Sequence, residues 1–239
     1  MSRAPGLKSV SFSSMLHLRR MRSFYRHQCL RCPPQIIVVG AGPSGLLLTL
    51  LLANRGIPVT LIDKQSDLDT NPRATHYGSP AVYELNRAGV GDELRARGFV
   101  PSGVSWRNLN GDILGSLDAE VLADDPDRMV CLPLDQLGKL LKEHVVRQDN
   151  ATLRFDQNVI SIGQSDQEAW VIVDTPEGQQ TLKADYIVGC DGANSQIRRS
   201  LFGDWEFPGT TWDLQIVATN VRKPRTGSPI PSLATADCV

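Results

Sequence analysis

The stretch from Gln35 to Lys64 constrains the fold of this chain more than any other part of its sequence. It begins with four β-branched apolar residues, Ile36 to Val39, which are typical of a strand buried on both faces. A glycine-rich turn follows, and the leucine-rich residues 46–53 then predict about two turns of helix. A second apolar strand, residues 59–62, ends at Asp63. This order of strand, turn, helix and strand predicts a βαβ unit in a Rossmann-like parallel sheet.

The residue types in this unit meet the requirements of dinucleotide binding. Three glycines have the spacing G-x-G-x-x-G: the first permits a tight turn, the second lets backbone approach a pyrophosphate, and the third lets helix pack closely on strand. The helix start offers free N–H groups and a positive dipole end to phosphates. A carboxylate after the second strand can accept hydrogen bonds from a ribose diol. If the glycine turn were purely structural, the presence of this carboxylate would be unexplained. The predicted dinucleotide-binding residues are Gly40, Gly42, Pro43, Ser44, Gly45, Asp63 and Lys64.

Length and charge narrow the possible functions. A chain of 239 residues can hold one large domain or two small ones, and 41% hydrophobic residues suffice for a core. Residues 1–34 carry six Arg and one Lys without an acidic residue, whereas the remainder carries 18 basic and 26 acidic residues. That acidic balance gives no support to nucleic-acid binding. The longest apolar run, residues 45–53, is far shorter than the roughly 20 residues of a membrane span.

The basic leader and the cysteines indicate in which cellular compartment the protein is expected. Residues 1–34 are rich in Arg and Ser, which is typical of an organelle-import presequence. The alternatives are a disordered tail and upstream sequence that is not translated in the cell. We expect this leader to be dispensable for the fold. The five cysteines are scattered, and Cys29 and Cys32 have no second pair, so we predict neither a disulfide framework nor a metal site. These features favour a cytoplasmic protein, with mitochondrial import through the leader as the alternative.

Further elements are predicted between residues 64 and 190. Ser79 is the expected N-cap of a helix that has Pro80 at its first position. A second helix is expected over 92–97, a hairpin over 104–114 and an amphipathic helix from about 132 to 147. The acidic stretch 118–128 is expected to be a solvated loop rather than a metal site. The remaining strand candidates are residues 151–162, 169–174, 180–182 and 186–190.

A second motif follows the last of these strands. Residues 184–201 read ADYIVGCDGANSQIRRSL, so that a buried strand runs directly into Asp191 and Gly192. Alone, this would be an ordinary structural turn, but it lies more than a hundred residues after a dinucleotide unit. Asp191 can accept a hydrogen bond from a sugar hydroxyl, and Gly192 admits close backbone approach. Ser195 and Arg198 fall on a predicted helical turn, where Arg198 can balance phosphate charge.

On these residues the chain resembles the single-component flavoprotein aromatic hydroxylases, the para-hydroxybenzoate and phenol hydroxylase family. The likeness is carried by GAGPSG at residues 40–45, by the strand that ends at Asp63 and by CDGANSQIR at residues 190–198. It extends over about 35–220. The resemblance implies an α/β fold with FAD bound to a Rossmann-like domain and with an incomplete β-rich substrate domain. It also implies that residues 190–198 serve both FAD and a nicotinamide donor.

Two further positions follow from the resemblance. Asn71-Pro72-Arg73-Ala74 is similar to the family segment whose arginine lies against the ribityl and pyrophosphate groups, so Arg73 is a predicted FAD-binding residue. Family members often place a glutamine just after a Leu-Pro-like strand end. Leu134 stands at that place in this chain, and Gln136, two residues on, is the candidate for the flavin contact.

One family motif is missing from the sequence. The family has a third motif, Gly-Asp-Ala followed by His, but the Gly-Asp pairs at 91, 111 and 203 do not continue in that way. We therefore expect a C-terminally truncated fragment: a leader over 1–34, an FAD-binding domain with part of a substrate domain over 35–220, and an irregular tail over 221–239.

The resemblance also implies a reaction. NAD(P)H reduces FAD, and the reduced flavin then uses O₂ to hydroxylate a small phenol-like ring. No catalytic residue is predicted. The alternatives are a catalytically inactive, truncated FAD-binding product and an NAD-dependent dehydrogenase, the latter disfavoured by Asp191-Gly192. We expect this chain by itself to couple NADPH oxidation poorly to hydroxylation and, through an exposed sheet face, to be prone to aggregation.

Overall fold

The computed structural model describes residues 33–71, 73–203, 209–210 and 213–214. The chain from Pro34 onward forms a compact unit of its own. The predicted leader (except Pro33 and Pro34), the Cys29 and Cys32 pair and the predicted tail lie outside the described residues.

Strands and helices alternate in the first part of this unit, and short strands dominate later. In chain order the strands are β1 (Ile36–Val39), β2 (Val59–Ile62), β3 (His76–Tyr77), β4 (Gly103–Arg107), β5 (Ile113–Asp118), β6 (Val130–Cys131), β7 (Ala151–Arg154), β8 (Asn158–Gln164), β9 (Ala169–Thr175), β10 (Gly178–Ala184) and β11 (Tyr186–Gly189). The helices are α1 (Pro43–Ala53), α2 (Ser79–Arg87), α3 (Gly91–Arg97), α4 (Leu134–Val145) and α5 (Gln196–Phe202), with a 3₁₀ turn at Glu120–Leu122.

A four-stranded parallel sheet in the order β11-β1-β2-β7 forms the centre of the fold. Val39, the last residue of β1, stands opposite Ile62 on one side and Gly189 on the other. The carboxyl ends of β1, β2 and β11 therefore meet at the same edge of the sheet. All four residues of β1 are buried, as their apolar pattern predicts.

Both faces of the parallel sheet are covered. On one face, α1 packs with the apolar side of α4, which is formed by the predicted residues Leu137, Leu140, Leu141 and Val145. On the other face, valines of the antiparallel sheet β10-β9-β8 pack against Ile37, Val39 and Ile62. This is the layered α/β architecture expected from the βαβ pattern, and it is confirmed.

Three local predictions need correction. Ser79 is not the N-cap of α2: the N–H groups of Ala81 and Val82 both bond to the carbonyl of Gly78, which makes Gly78 the N-cap. The predicted strand 151–162 is two strands, because Asp156 has a left-handed backbone (φ 55°) that turns the chain from one sheet to the other. The helix of the βαβ unit begins at Pro43 and not at residue 46, since proline fits its first turn.

The hairpin of β4 and β5 leaves apolar side chains in solvent. Val104 lies opposite Leu117, and Trp106 is on the same face. These three side chains are 44%, 64% and 54% exposed. Helices long and apolar enough to cross a membrane do not occur among the described residues.

Candidate functional site

A cavity of about 540 Å³ opens at the carboxyl edge of the parallel sheet. This is where open α/β sheets bind ligands, outside the ends of the strands. Its walls come from the glycine turn, the loop after β2, the starts of α4 and β8, and the segment after β11. Nine predicted site residues line it: Gly40, Gly42, Pro43, Ser44, Asp63, Lys64, Arg73, Asp191 and Gly192.

The glycine turn is as tight as its sequence predicts. The N–H of Gly40 donates to the carbonyl of Ile62 at 2.8 Å, and its φ of +107° is one that residues with side chains rarely adopt. A Cβ on Gly45 would stand closer than 3.0 Å to the Gly40 carbonyl oxygen and 3.3 Å from Cβ of Cys190. The helix can therefore pack this closely on the strand only because residue 45 has no side chain.

The start of α1 faces the cavity with N–H groups that the helix itself does not use. The first intrahelical bond runs from the N–H of Leu46 to the carbonyl of Gly42 at 3.0 Å, so the N–H groups of Ser44 and Gly45 precede the helical ladder. Within the described part of the chain no side chain caps this helix, and its first turn has no acidic residue. Among the residues that the structure describes, no atom would lie within 4 Å of a Cβ on Gly42. The turn therefore offers an anion an open approach to a helix N-terminus.

The carboxylate of Asp63 lies beside this turn. It accepts a hydrogen bond from the N–H of Ala41 at 2.6 Å and another from the N–H of Gln65 at 2.8 Å. A carboxylate has about four acceptor sites, so two bonds to backbone leave capacity for a ligand hydroxyl. Asp63 thus joins the glycine turn to the loop after β2, a role that its sequence position did not reveal.

The loop after β2 is fastened to α4 and forms one wall of the cavity. Asp67 pairs with Lys142 of α4 at 2.6 Å, and the hydrogen bond from that ammonium lowers the pKa of Asp67. Asp69 pairs with Arg73 at 2.6 Å. The pKa of Asp69 is lowered first by the N–H of Asn71 and to a smaller extent by Arg73. Arg73, predicted to meet FAD, is therefore held along this loop at the cavity.

The segment after β11 is organised by the carboxylate of Asp191. One of its oxygens accepts from Oγ of Ser195 at 2.6 Å, and the other accepts from the N–H of Gln196 at 2.6 Å and of Ile197 at 3.2 Å. Ser195 in turn accepts from the N–H of Arg198 at 2.9 Å and is the N-cap of α5. Asp191 therefore holds the start of α5 against the cavity, in addition to any contact with a ligand. Burial, and secondarily Asp191, raises the pKa of the Cys190 thiol at the same wall.

Four predicted site residues do not line the cavity. Gly45 is in close contact with the backbone of Gly40, and Ser195 is the N-cap of α5. The side chain of Gln136 donates to Asp135 at 2.8 Å, whereas Leu134 reaches the cavity. Arg198 donates to the carbonyl of Ala193 at 2.8 Å.

The cavity also has lining residues that the sequence analysis missed. Asn194, Gln196 and Arg199 are among them. Helical spacing could have pointed to one pair, because positions 196 and 199 are three apart and share a face of α5. In the described residues no group of three or more His, Cys, Asp or Glu side chains is placed to hold a metal ion.

Comparisons with known proteins agree with this geometry. A family model described as an FAD binding domain matches residues 34–238. Para-nitrophenol 4-monooxygenase from Pseudomonas sp. strain WBC-3 is 30% identical over 188 residues, which are 78% of this chain and 46% of that protein. 6-Hydroxy-3-succinoylpyridine 3-monooxygenase from Pseudomonas putida is 32% identical over 190 residues, or 79% of this chain and 48% of that protein.

A solved structure agrees with the fold as well. The crystal structure of p-nitrophenol 4-monooxygenase from Pseudomonas putida DLL-E4 superposes with a TM-score of 0.67 at 30% identity, covering 71% of this chain and 43% of that one. The chain spans about half the length of the curated relatives it matches. It therefore belongs to the family of FAD-dependent aromatic hydroxylases, of which it contains the FAD-binding part.

Proposed function

We propose that this chain binds FAD in the cavity at the carboxyl edge of its parallel sheet, and that the whole protein uses NAD(P)H and O₂ to hydroxylate a small phenol-like substrate. The observation that carries the proposal is the start of α1, which opens into the cavity beside Asp63 and which no side chain of the described residues caps. A Cβ on Gly42 would meet no atom of the described residues within 4 Å, which suits a ligand whose phosphates approach the backbone directly.

Each wall of the cavity has a part in holding the cofactor. The N–H groups of Ser44 and Gly45 would hold the pyrophosphate at the helix N-terminus. Asp63 would accept from the adenosine ribose, and Arg73 would lie near the phosphates and the ribityl chain. When bound, FAD supplies the redox chemistry, which is hydride acceptance from NAD(P)H and reaction with O₂. The protein orients the cofactor and excludes water from the reacting centre.

The domain boundaries of the sequence analysis stay part of this proposal. Residues 35–220 are the proposed FAD-binding domain with part of the substrate domain, and the parallel sheet with its covering layers lies within them. The hairpin of β4 and β5 is the candidate start of a substrate domain, because it forms a separate two-stranded sheet with an exposed apolar face. An isolated two-stranded sheet is marginally stable in water, so we expect this face to be covered in the whole protein.

Titration of the purified apoprotein with FAD, NAD⁺ and adenosine tests the binding part of the proposal. Isothermal titration calorimetry should show FAD binding more tightly than NAD⁺. Tighter binding of NAD⁺ would favour a dehydrogenase and contradict the proposal. The reaction is tested by incubating the FAD-loaded protein with NADPH and a panel of phenols, with NADPH consumption, peroxide and hydroxylated product measured separately. FAD binding with mainly peroxide would support a binding module, and the absence of any FAD binding would contradict both readings.

A further inference from the structure

Two neighbouring arginines of α5 donate hydrogen bonds to different groups. The backbone N–H of Arg198 donates to Ser195 and its guanidinium donates to the carbonyl of Ala193. Arg198 thereby braces the turn that leads into α5. Arg199, one residue later, is half-buried and lines the cavity.

The guanidinium of Arg199 donates to two side chains of the same wall. One of its terminal nitrogens donates to Oδ1 of Asn194, and the other donates to Oε1 of Gln196 at 3.0 Å. Asn194 and Gln196 also line the cavity. A planar guanidinium fixed at two points loses little further freedom when it meets an anion, and its fork geometry suits phosphate oxygens.

The charges around the cavity indicate why an arginine at this position would favour the binding of an anion. Four carboxylates line the cavity, namely those of Asp63, Asp67, Asp69 and Asp191. A bound pyrophosphate adds negative charge close to these carboxylates. Its binding therefore requires positively charged side chains nearby. Among the described residues, the cationic side chains lining the cavity are Lys64, Arg73 and Arg199, and only Arg199 belongs to the segment after β11.

We propose that Arg199, and not Arg198, supplies the positive charge with which the segment after β11 meets the pyrophosphate of FAD. This inference rests on the proposed binding of FAD. It assigns different tasks to two adjacent residues of one type: Arg198 is a structural brace, and Arg199 is a cofactor-binding residue.

Three variants of the whole chain test the proposal: Arg199→Gln, Arg199→Lys and Arg198→Gln. Calorimetry should show that Arg199→Gln binds FAD and ADP roughly tenfold more weakly, near the lower end of the range for a charge-assisted hydrogen bond. Adenosine, which has no phosphate, should bind equally to this variant and to the unmodified protein. The affinity of Arg199→Gln for FAD should also fall less steeply with added salt, and Arg199→Lys should regain part of the affinity. Arg198→Gln should lower the thermal midpoint of the apoprotein at least as much as Arg199→Gln does, although only Arg199→Gln should weaken the binding of FAD and ADP.

A control and two contrary outcomes complete the test. Arg87→Gln removes the same charge from the outer surface of α2, where Arg87 pairs with Glu84, and should leave FAD affinity unchanged. Unchanged FAD affinity in Arg199→Gln would overturn the inference while leaving the proposed function intact, provided that the unmodified protein binds FAD. Equal weakening for FAD and adenosine would also overturn it, because the role of Arg199 would then be structural.

Discussion

Substitutions at two glycines of the same turn should affect different properties, the stability of the fold in one case and the binding of FAD in the other. A Cβ at position 45 would meet the Gly40 carbonyl oxygen at less than 3.0 Å, whereas a Cβ at position 42 would meet no atom of the described part of the chain within 4 Å. Gly42 also has an ordinary backbone (φ −69°, ψ 176°) that alanine can adopt. We therefore expect Gly45→Ala to damage the apoprotein and Gly42→Ala to damage the site.

The magnitudes follow from these surroundings. In Gly45→Ala the clash is with backbone that cannot rotate away, so an overpacking cost of about 3 kcal/mol is expected. The better helix propensity of alanine returns about 1 kcal/mol, and the net loss of about 2 kcal/mol lowers the thermal midpoint of a domain of this size by roughly 4–8 °C. In Gly42→Ala, a gain of about 0.4–1 kcal/mol from a less flexible unfolded chain opposes a weaker N-cap of similar size, so apoprotein stability should change by less than about 1 kcal/mol.

Gly42→Ala should weaken FAD binding although it changes the stability of the apoprotein little. In Gly42→Ala the new methyl group occupies the open approach to α1, and FAD affinity should fall at least roughly tenfold if the pyrophosphate meets this backbone. Thermal unfolding of the apoproteins by circular dichroism and calorimetric titration with FAD measure the two effects. Two results would contradict this assignment: Gly42→Ala binding FAD as tightly as the unmodified protein, or lowering the apoprotein midpoint as much as Gly45→Ala does.

Three further predictions concern the carboxylates and the hairpin. Asp63→Ala should weaken FAD binding by about 1–3 kcal/mol, since hydrogen-bonding partners are left without an acceptor; unchanged affinity in calorimetry would remove Asp63 from the site. Lys142 lowers the pKa of Asp67, so the ion pair should stabilise the fold above the ordinary pKa of 3.8 and lose this effect as pH falls through the lowered value. The thermal midpoint of Asp67→Asn should accordingly lie below that of the unmodified protein at pH 7 and approach it as the pH falls below 3.8 through the lowered pKa, and a constant difference would contradict the assignment. Replacing the exposed Trp106 and Leu117 by serine should reduce concentration-dependent light scattering without changing FAD affinity, and undiminished scattering would show that another surface drives association.

The sequence alone determined those parts of the protein whose physical requirements are local. Four consecutive β-branched residues suit a strand buried on both faces, and β1 is buried throughout. Gly40 and Gly45 were identifiable because a positive φ and a close helix–strand contact both exclude side chains. The position of Asp63 at the cavity follows from a strand of predictable length, since parallel strands end at a common edge.

Features that depend on contacts between distant segments could not be predicted from the sequence. The break at Asp156 has no glycine or proline to mark it, and the turn is held by hydrogen bonds from residues 156 and 157 to the backbone of Gln65 and Asp63. Which of two adjacent arginines reaches the cavity depends on how α5 is rotated, and that rotation is set by the bonds of Asp191 to the helix start. Local propensity carries no information about such rotation, because a one-residue step on a helix turns a side chain by about 100°.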